Sequence, residues 1–508
     1  MTGRHRSLDD FPGPLPQQLL RAADDLACHP GTTLHIPPGD YVLETPLSRS
    51  LRLELMDGRL GDDPEKRIFT PYFPYDTALP LRGVQDCTVE GNGARFLLTG
   101  PMQAVELAGC SHVVLRELRV DCAPKPFTRA RVIGQGAGFV DLCLPQGCGV
   151  TARTPAPRIV PLTPGGGFAP GCMESFSRIP IGSNCLRCFG SPDLPPCVGG
   201  EVVLIHTYHY RPAVFLADSE DIMLEKVAIH AQYGMGLLAH RCRDLTLRRF
   251  AVTPAPGACI SVNTDATHFA SCSGEIRLEN CILAGSEDDG LNIHGYYYDP
   301  EPLGGSACLL HLKAPTFSHA QVIDLPPRGA ELALYDRDSL AELGRWRVME
   351  VAEDRTALAA RVVLDRPLAG DGLLLDCSVR SHLVVRDCRF QQILTRCLLL
   401  KPETAEVTGC LFRDCPGTAV HISPEPQWRE GGAVQHVLLE NNRFDHVGYG
   451  AYGIHGNASV LCVEGGCLHP SPGLHGEVLF RHNAITRCSD GRPERVVSAL
   501  THFSKEES

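Results

Sequence analysis

A short hydrophobic pattern recurs along this chain and constrains its fold more than any other feature. Apolar residues alternate with polar ones, and a second short alternation follows with a small, polar or cysteine residue at its first site. The copies are HVVLRELRV (112–120), DIMLEKVAI (221–229), DLTLRRFAV (244–252), EIRLENCIL (275–283), HLVVRDCRF (382–390), TAEVTGCLF (404–412), HVLLENNRF (436–444) and EVLFRHNAI (477–485). Alternation at every second residue points one set of side chains inward and the other outward along a β-strand.

The spacing of the copies predicts a parallel β-helix in an all-β fold. Each copy has one apolar anchor, and the anchors are Leu115, Leu224, Leu247, Leu278, Val385, Val407, Leu439 and Phe480. Successive anchors are 109, 23, 31, 107, 22, 32 and 41 residues apart. Repeats of about 20–50 residues are typical of solenoids. The shorter intervals therefore correspond to single coils, and Asn442 and Asn483 predict a ladder of stacked asparagines between two coils.

The two intervals above 100 residues predict insertions on the solenoid. Both contain alternating strand-like runs, which indicate small β-barrel domains. The stretch 14–28 has apolar residues at helical spacing and predicts a helix that caps the open end of the first coil. We therefore divide the chain into five segments, which are the cap and first coils (1–122), a first barrel (123–205), central coils with the catalytic residues (206–306), a second barrel (307–376), and the last coils with the tail (377–508).

Composition excludes several partners. A net charge of −12 and a pI near 6.0 argue against nucleic-acid binding, which needs basic stripes. The sequence contains no run of roughly 18 apolar residues, so it predicts no membrane span. The N-terminus has no apolar segment of a secretion signal, so we expect a cytoplasmic protein, or a secreted one if a signal was removed. The sequence leaves open whether the chain forms a homodimer.

Cysteine is abundant, with 23 residues. Several occupy inward positions of the repeated pattern, as Cys281, Cys388 and Cys410 do, and cysteine there behaves as a small buried hydrophobic residue. This usage predicts reduced thiols. A loop with Cys172, Cys185, Cys188 and Cys197 contains one CxxC motif, whereas typical zinc sites contain two. The sequence leaves zinc binding by this loop open, and we assign no metal and no cofactor.

The segment 263–298 gathers three carboxylates, Asp265, Asp288 and Asp289. Like charges held close together disfavour each other's ionisation, and such groups are often used for proton transfer. Asp265 precedes Asp288 by 23 residues, the length of a short coil, so these residues are expected to face one groove from adjacent coils. Two carboxylates across a groove are the arrangement of a glycosidase. The alternative is an acidic turn whose side chains cap their own backbone.

Two motifs of this segment, TDATHF and EDDGLNIHG, resemble those of the α-1,3-galactosidases of glycoside hydrolase family 110. The stretches 230–252 and 428–450 are similar as well. The resemblance implies a right-handed parallel β-helix with inserted barrels, no cofactor, and release of terminal α-1,3-linked galactose with inversion. It also implies Asp265 as general acid, with Asp288 and Asp289 holding and deprotonating the attacking water. The expected partner is an α-galactosyl oligosaccharide or glycan, branched like blood group B or linear.

Further residues are candidates for binding the sugar. Those expected at the galactose hydroxyls or against the ring are Glu287, His268, Asn292, His294, Trp428 and Glu430. A polar wall of His206, Tyr208 and His209 is a further candidate, against the simpler interpretation of structural histidines. His421 is interpreted as structural.

Two other functions stay open at this point. One is another β-helix carbohydrate enzyme, such as a polysaccharide lyase or a polygalacturonase-like hydrolase. A lyase would need calcium-binding carboxylates and a lysine or arginine base, and the 263–298 segment contains one such residue, Arg277, inside a strand pattern. The other is a non-catalytic glycan-binding solenoid, which would need no cluster of carboxylates.

Overall fold

The structure is a computed structural model that describes residues 4–312, 322–450, 458–488 and 494–506. Strands from three sheets follow one another in turn along the chain, and each strand pairs in parallel with its counterpart one coil later. Successive parallel coils of this kind form a β-helix. The parallel β-helix predicted from the repeated pattern is therefore confirmed.

The three sheets of the β-helix run its whole length. The first sheet consists of Arg4–Ser7, Thr32–His35, Thr88–Glu90, Ser111–Arg116, Glu220–Glu225, Arg243–Arg248, Ser273–Glu279, Ser381–Arg386, Thr404–Thr408, His436–Glu440, Glu477–Arg481 and His502–Glu506. The second consists of Asp40–Leu43, Arg95–Leu98, Arg119–Cys122, Ala228–Ile229, Ala251–Val252, Ile282–Ala284, Arg389–Gln391, Leu411–Cys415, Arg443–Val447 and Ala484–Cys488. The third consists of Thr77–Arg82, Gln103–Ala108, Val214–Ala217, Leu237–His240, Thr267–Ala270, the start of Leu291–Gly304, Leu398–Leu400, Val420–Ile422, Leu461–Val463 and Glu494–Val496.

The eight anchors of the sequence pattern form one continuous ladder in the first sheet. Leu115 pairs with Leu224, and the pairing continues through every later anchor to Phe480. All eight side chains are buried in the main hydrophobic core. The intervals of 109 and 107 residues are thus also single coils, each interrupted by an insertion.

The corners between the first and second sheets explain the polar residues in the middle of the pattern. One residue per corner adopts a left-handed conformation, with φ between 50° and 67°, at Glu117, Lys226, Arg249, Asn280, Asp387, Gly409, Asn441 and His482. The predicted asparagine ladder stands at this corner. The side chain of Asn442 accepts from the backbone N–H of Cys410 at 2.9 Å, and Asn483 accepts from the backbone N–H of Asn442 at 2.8 Å.

Stacked aromatic rings fill the core of the last coils. Phe390, Phe412, Phe444 and Phe480 follow one another with ring centroids 4.9, 4.8 and 5.9 Å apart. All four rings are fully buried. Offset and stacked aromatic pairs contribute beyond the area that they bury, so this column helps to hold the C-terminal coils in register.

The N-terminal helix Leu15–Cys28 covers the first coil, as predicted. Its apolar face, with Leu19, Ala22, Ala23 and Leu26, is buried against the first strands of the β-helix. Other helical segments are Pro46–Met56, Glu65–Ile68 and the 3₁₀ turns Leu8–Asp10 and Pro426–Trp428. Thr45 begins Pro46–Met56 with a reciprocal cap, because its hydroxyl accepts from the backbone of Ser48 and the Ser48 hydroxyl accepts from the backbone of Thr45.

Both insertions are closed six-stranded barrels in the described residues. The first is built from Phe127–Gly136, Phe139–Cys143, Arg158–Pro161, Met173–Gly182, Cys185–Ser191 and Glu201–Ile205. The second is built from Leu291–Gly304, Ala307–His311, Glu331–Tyr335, Glu342–Asp354, Ala359–Leu364 and Leu373–Asp376. Leu291–Gly304 belongs to both the third sheet and the second barrel, and it also pairs with the short strand Glu430–Gly431. The division of the chain into five segments stays a prediction.

None of the 23 cysteines, all of which lie in the described ranges, forms a disulfide. Inward cysteines such as Cys281, Cys388 and Cys410 are buried in the core. Across the described ranges, none of the helices has the length and apolar character needed to cross a membrane.

Candidate active site

A cavity of about 610 Å³ lies over the outer face of the third sheet, and it collects most of the predicted site residues. Its floor comes from Thr267–Ala270, Leu291–Gly304 and the turns that precede these strands. Its walls come from the first barrel, from the 62–69 segment and from the turn at Pro426–Trp428. Eight of the nine predicted catalytic and sugar-binding residues line it, namely Asp265, His268, Asp288, Asp289, Asn292, His294, Trp428 and Glu430.

The register of the third sheet brings the carboxylates together. Thr267 pairs with Leu291, and Leu291 pairs with Leu398. Two residues before each of these positions stand Asp265, Asp289 and Arg396, which therefore occupy equivalent places on three successive coils. The offset between the first two coils is 24 residues, so Asp265 aligns with Asp289. The 23-residue spacing had suggested an alignment with Asp288 instead. One oxygen from each of Asp265, Asp288 and Asp289 lies within 4.8 Å of the others.

Asp265 sits where a carboxyl group keeps its proton. Asp265 is 4 % exposed, and among the described residues no arginine or lysine forms an ion pair with it. Burial, followed by the charges of Asp288 and Asp289, holds the pKa of Asp265 well above its usual range. Oδ1 accepts from the backbone N–H of Asp289 at 3.2 Å, and Oδ2 lies 2.6 Å from Nδ1 of His268.

Asp289 sits in the opposite environment. Arg396 donates to Oδ1 through Nε at 2.8 Å and to Oδ2 through Nη2 at 2.9 Å, and its backbone N–H donates to Oδ1 at 3.1 Å. Burial holds the pKa of Asp289 above its usual range, although the Arg396 guanidinium acts in the opposite direction. A two-pronged arginine contact and a backbone donor both favour the ionised carboxylate. These contacts stabilise the anion of Asp289, whereas no arginine or lysine ion pair among the described residues does so for Asp265.

Asp288 is the most open of the three acids. The Tyr208 hydroxyl donates to its Oδ2. The Thr395 hydroxyl lies 3.0 Å from Oδ1 of Asp288 and 2.5 Å from Oδ1 of Asp289. A hydroxyl carries one hydrogen, and the shorter contact assigns that hydrogen to Asp289. Oδ1 of Asp288 is then left without that hydrogen.

The first barrel supports Asp288 through a relay of side chains. Arg158, in the barrel strand Arg158–Pro161, places its guanidinium 3.8 Å from the ring centroid of Tyr208. A cation over an aromatic face is attracted to it, so Arg158 holds the tyrosine that bonds Asp288. Arg158 in turn donates from Nη1 to both oxygens of Glu287, at 3.1 and 3.2 Å.

Glu287 is a correction to the sequence-based assignment. It was expected at the galactose hydroxyls, but its side chain is fully buried, lies outside the cavity lining and bonds Arg158. Burial raises the pKa of Glu287 to about 8, against the lowering effect of Arg158. The reason is local geometry, because neighbouring residues in the turn point to different sides, so that Asp288 faces the cavity and Glu287 faces the barrel.

Charges of alternating sign continue from Asp289 across the cavity. Arg396 also donates from Nη1 to Glu425 at 2.7 Å, and Lys401 lies 3.6 Å from Glu425 and 2.9 Å from Glu430. Burial alone would raise the pKa of Glu430, but Lys401 holds it well below its usual range. Asn292 donates to Glu430 at 3.0 Å and accepts from Lys401 at 3.2 Å. These contacts fix polar groups on the cavity floor, where a sugar hydroxyl would bind.

The two predicted histidines form a chain with Asp265. Nε2 of His268 lies 2.8 Å from Nε2 of His294, and Nδ1 of His294 lies 2.8 Å from the Gly295 carbonyl oxygen. Burial lowers the pKa of His268 to about 4 and that of His294 to about 3. Both rings are therefore neutral near pH 7, and all four ring nitrogens face protein atoms.

Aromatic side chains stand at the rim of the cavity. Trp428 is 38 % exposed and Phe176, from the first barrel, is 62 % exposed. An exposed ring at the mouth of a polar cavity offers a flat apolar face for a sugar. The predicted position of Trp428 beside the site is therefore present.

The predicted polar wall is present in part. Tyr208 and His209 line the cavity, and His209 bonds Glu65 through Nδ1 at 2.6 Å. His206 is buried elsewhere, between Thr128 and the Pro155 carbonyl. His421 lies outside the cavity lining, and its Nε2 is 2.9 Å from Oε1 of Glu464. This position agrees with its structural interpretation.

The donor sets of the site are arranged for hydrogen bonding. Among the described residues, metal-ligating types come together in three groups, which are Asp265–Asp288–Asp289, His268–His294–Glu430 and His421–Cys462–Glu464. Two nitrogens on one tetrahedral zinc would be roughly 3.3 Å apart, whereas those of His268 and His294 are 2.8 Å apart. Arg396 and Lys401 already supply positive charge beside the carboxylates. We assign no metal, and that assignment stays a prediction.

The cysteine-rich loop does not gather its thiols. Cys188 is buried in the core of the first barrel, Cys172 packs in a separate apolar cluster, and Cys185 pairs across the strands with Cys143. All four predicted cysteines lie in the described ranges, and none is in a group of three or more closely spaced ligand atoms there. The loop therefore does not have the geometry of a zinc site.

Several residues of the site were not found from the sequence, and one rule would have found three of them. The 107-residue interval between anchors, added to Asp288, Asp289 and His294, gives Thr395, Arg396 and Lys401. Arg158 and Glu425 come from a barrel strand and a turn, where no period applies.

The sequence of this chain is similar to those of known proteins. No family model matches the chain. It is 26 % identical over 494 residues to α-1,3-galactosidase A of Shewanella woodyi, covering 88 % of this chain and 77 % of that protein. It is 26 % identical over 467 residues to α-1,3-galactosidase B of Phocaeicola vulgatus, covering 80 % and 74 %. The chain is similar to α-1,3-galactosidases along most of its length. The resemblance predicted from the sequence motifs is therefore confirmed.

Solved structures give more distant matches. The endo-xylogalacturonan hydrolase of Aspergillus tubingensis aligns with a TM-score of 0.42 and 7 % identity, covering 98 % of this chain and 90 % of that one. The family 28 exopolygalacturonase of Yersinia enterocolitica aligns with a TM-score of 0.37 and 9 % identity, covering 100 % and 78 %.

Proposed function

We propose that this chain is an exo-acting glycoside hydrolase that releases terminal α-1,3-linked galactose from oligosaccharides or glycans by a single inverting displacement. The similarity to α-1,3-galactosidases over most of the chain supports the substrate class. One structural observation carries the chemistry. Asp265, whose burial favours the protonated form, faces two carboxylates held by Arg396, Tyr208 and Thr395 in the same cavity.

Opposite environments assign opposite roles to the acids. Enzymes that need an acid and a base at one pH place two carboxyl groups in surroundings that push their pKa values apart. Burial and the neighbouring carboxylates raise the pKa of Asp265, which suits it to act as the general acid. Arg396 favours ionisation of Asp289 and adds positive charge close to Asp288, so the second side of the site supplies the base.

The reaction follows from these roles. The Asp265 O–H bond breaks and its proton goes to the glycosidic oxygen, while the bond from that oxygen to C1 of galactose breaks. A water oxygen forms the new bond to C1, and its proton goes to a carboxylate of the pair. Asp265 ends ionised and the base ends protonated, and exchange with solvent restores both.

Asp288 takes the proton of the water in this scheme. Its Oδ1 is left without the Thr395 hydrogen, which goes to Asp289. Asp289 has four donors on its two oxygens and serves to fix Thr395 and Arg396.

The separation of the carboxyl groups bears on the stereochemistry of the reaction. Inverting glycosidases usually separate their carboxyl groups by about 6.5–9.5 Å, and retaining ones by about 5–5.5 Å. The nearest oxygens of the three acids here lie within 4.8 Å, which is nearer the retaining value. Inversion rests instead on the family resemblance, with Asp288 as the acceptor for the proton of the water.

Charge supports a neutral sugar as the substrate. Among the described residues, nine acidic and three basic side chains line the cavity. A uronic acid would bring a further negative charge into this field, where it would be repelled. This observation disfavours a lyase or polygalacturonase-like reaction.

The shape of the cavity supports action at chain ends. The floor, the first barrel, the 62–69 segment and the Trp428 turn enclose it on several sides. A terminal sugar enters such an enclosure more readily than the middle of a polymer. The rim aromatics Phe176 and Trp428 would then contact the sugar that precedes galactose.

Proton NMR of wild-type enzyme with galactose-α-1,3-galactose, followed from the first minutes, tests the proposal. Inversion releases β-galactose first, and an Asp265→Asn variant should release none. If α-galactose appears first, the substrate stands and the mechanism is retaining. If no galactose is released while polygalacturonate is cleaved, or cleavage stops with a chelator, the lyase or polygalacturonase-like alternative holds.

A binding solenoid would behave differently in the same experiment. It would bind the disaccharide without hydrolysis, and Asp288→Asn would leave that binding intact. Titration calorimetry of the wild type and Asp288→Asn with the disaccharide distinguishes this outcome from a slow hydrolase, because a hydrolase releases galactose over hours.

A further inference from the structure

Two buried histidines of the cavity floor have no ring nitrogen left for a sugar. His268 uses Nδ1 on Asp265 and Nε2 on His294, and His294 uses its remaining Nδ1 on the Gly295 carbonyl. His268 is 7 % exposed and His294 is 3 % exposed. The sequence suggested that they contact galactose hydroxyls, and these contacts suggest a different role.

The direction of the hydrogens along this chain follows from its last member. A backbone carbonyl only accepts, so Nδ1 of His294 must carry a hydrogen. In a neutral ring the other nitrogen then accepts, so Nε2 of His294 takes the hydrogen of His268 Nε2. His268 is also neutral, so its Nδ1 accepts as well. The remaining partner, Oδ2 of Asp265, is left as the donor.

We propose that His268 and His294 are positioning residues that hold the catalytic proton on Oδ2 of Asp265, with the Gly295 carbonyl setting the direction of the chain. This inference rests on the proposed glycosidase function and specifies how its general acid is kept protonated. A hydrogen bond to the neutral form of an acid disfavours its ionisation, so the chain adds to the effect of burial. The other oxygen of Asp265 is consistent with this state, because it accepts from the backbone N–H of Asp289.

All charged and titratable groups around Asp265 act on the same equilibrium. Asp288 and Asp289 from the following turn and Glu430 from the later coil favour the protonated acid, while His209, from the segment after the first barrel, acts in the opposite direction. A negative charge at Glu430 also lies 3.8 Å from Nε2 of His294. It would favour a charged histidine, but burial outweighs it and keeps both rings neutral.

His294→Phe tests the chain, because it keeps an aromatic ring and removes the acceptor for His268. His268 is then free to turn its hydrogen toward Asp265, which favours the ionised acid. We expect the alkaline limb of the kcat/KM profile on galactose-α-1,3-galactose to move down by about one pH unit, since that limb reports the acid of the free enzyme. His294→Gln offers an oxygen to His268 and a donor to Gly295, and should restore part of the shift.

A second substrate separates proton delivery from general damage. A dinitrophenyl α-galactoside has a leaving group that departs without protonation, so it does not need Asp265 as an acid. Above the shifted limb, His294→Phe should lose about tenfold or more on the disaccharide relative to the dinitrophenyl substrate. His421→Phe is the matched control, because His421 is also buried and bonded to a carboxylate, Glu464, outside the cavity lining. It should leave the limb and the ratio unchanged.

Nitrogen-15 NMR of histidine-labelled protein gives a readout that does not depend on activity. Near pH 7, His268 should carry its hydrogen on Nε2 and His294 on Nδ1, with the signals assigned by the His268→Gln and His294→Gln variants. A positively charged His268, or one with its hydrogen on Nδ1, would overturn the inference even if galactose is released. An unmoved limb with equal losses on both substrates would also overturn it. If the wild type cleaves neither galactoside, the proposed function fails and the NMR result still decides the chain.

Discussion

Arg396 grips both oxygens of Asp289, with Nε 2.8 Å from Oδ1 and Nη2 2.9 Å from Oδ2. The two residues lie 107 positions apart in the sequence and one coil apart in the β-helix, because the second barrel is inserted between them. Both side chains are buried, with residue exposures of 6 % and 1 %. The register of the solenoid therefore places a positive charge against a carboxylate of the cavity.

Removing the arginine should cost both stability and activity. Breaking a buried ion pair leaves an uncompensated charge and typically costs about 3–5 kcal/mol. We expect Arg396→Met to lower the free energy of unfolding by that order in urea titrations and to abolish galactose release. Arg396→Lys keeps a charge without the two-pronged contact, and should retain part of the stability with a reduced kcat.

A double variant separates the two effects. Arg396→Met with Asp289→Asn removes both charges of the pair, and should recover much of the stability without recovering activity. Arg95→Met, which breaks an exposed pair with Asp40, is the surface control and should change stability by less than about 1 kcal/mol. If Arg396→Met unfolds no more easily than Arg95→Met, the pair has no special role in the fold.

Asp265→Asn should stabilise the protein at high pH while it abolishes acid catalysis. The folded pKa of Asp265 is raised above its unfolded value, so the folded protein binds the extra proton. Stability is then lost as pH rises from about 4 toward the folded pKa, by up to about 1.4 kcal/mol per pH unit. Asparagine carries no such cost, and its amide can still donate to His268. Thermal melts from pH 4 to 9 should coincide at the acid end and separate in favour of the variant as pH rises.

The fold was predictable because it repeats. Every anchor from Leu115 to Phe480 lies in one ladder, since a two-residue alternation and a regular spacing are both visible in the sequence. The insertions were visible as intervals too long for one coil. The proximity of the proposed catalytic acids was also predictable, because Asp265 and Asp288 are separated by nearly one coil.

The rest of the site depends on contacts that have no period. Arg158 and Tyr208 reach Asp288 only because the first barrel folds back over the third sheet. Glu287 was assigned to the sugar because it neighbours Asp288, but the side of a turn that a residue faces is set by the backbone and not by adjacency. The histidine chain, likewise, depends on a backbone carbonyl that leaves no mark in the sequence.

The phenylalanine column offers a test of the fold that is independent of chemistry. Phe412 is fully buried between the rings of Phe390 and Phe444. Phe412→Ala should lower the free energy of unfolding by about 3–5 kcal/mol, through lost burial and the cavity left behind. Phe412→Leu should cost clearly less. Urea unfolding of both variants measures this, and a loss below about 1 kcal/mol for Phe412→Ala would show that the column contributes little.

The two tryptophans of the chain should divide between binding and folding. Trp428 lines the cavity and is 38 % exposed, whereas Trp346 is 5 % exposed in the second barrel and donates to the Pro367 carbonyl. An aromatic face against a ring contributes about 0.5–1.5 kcal/mol, so Trp428→Ala should raise KM roughly two- to tenfold with little change in the melting temperature. Trp346→Ala should do the reverse. An unchanged KM for Trp428→Ala would mean that its ring only packs within its own turn.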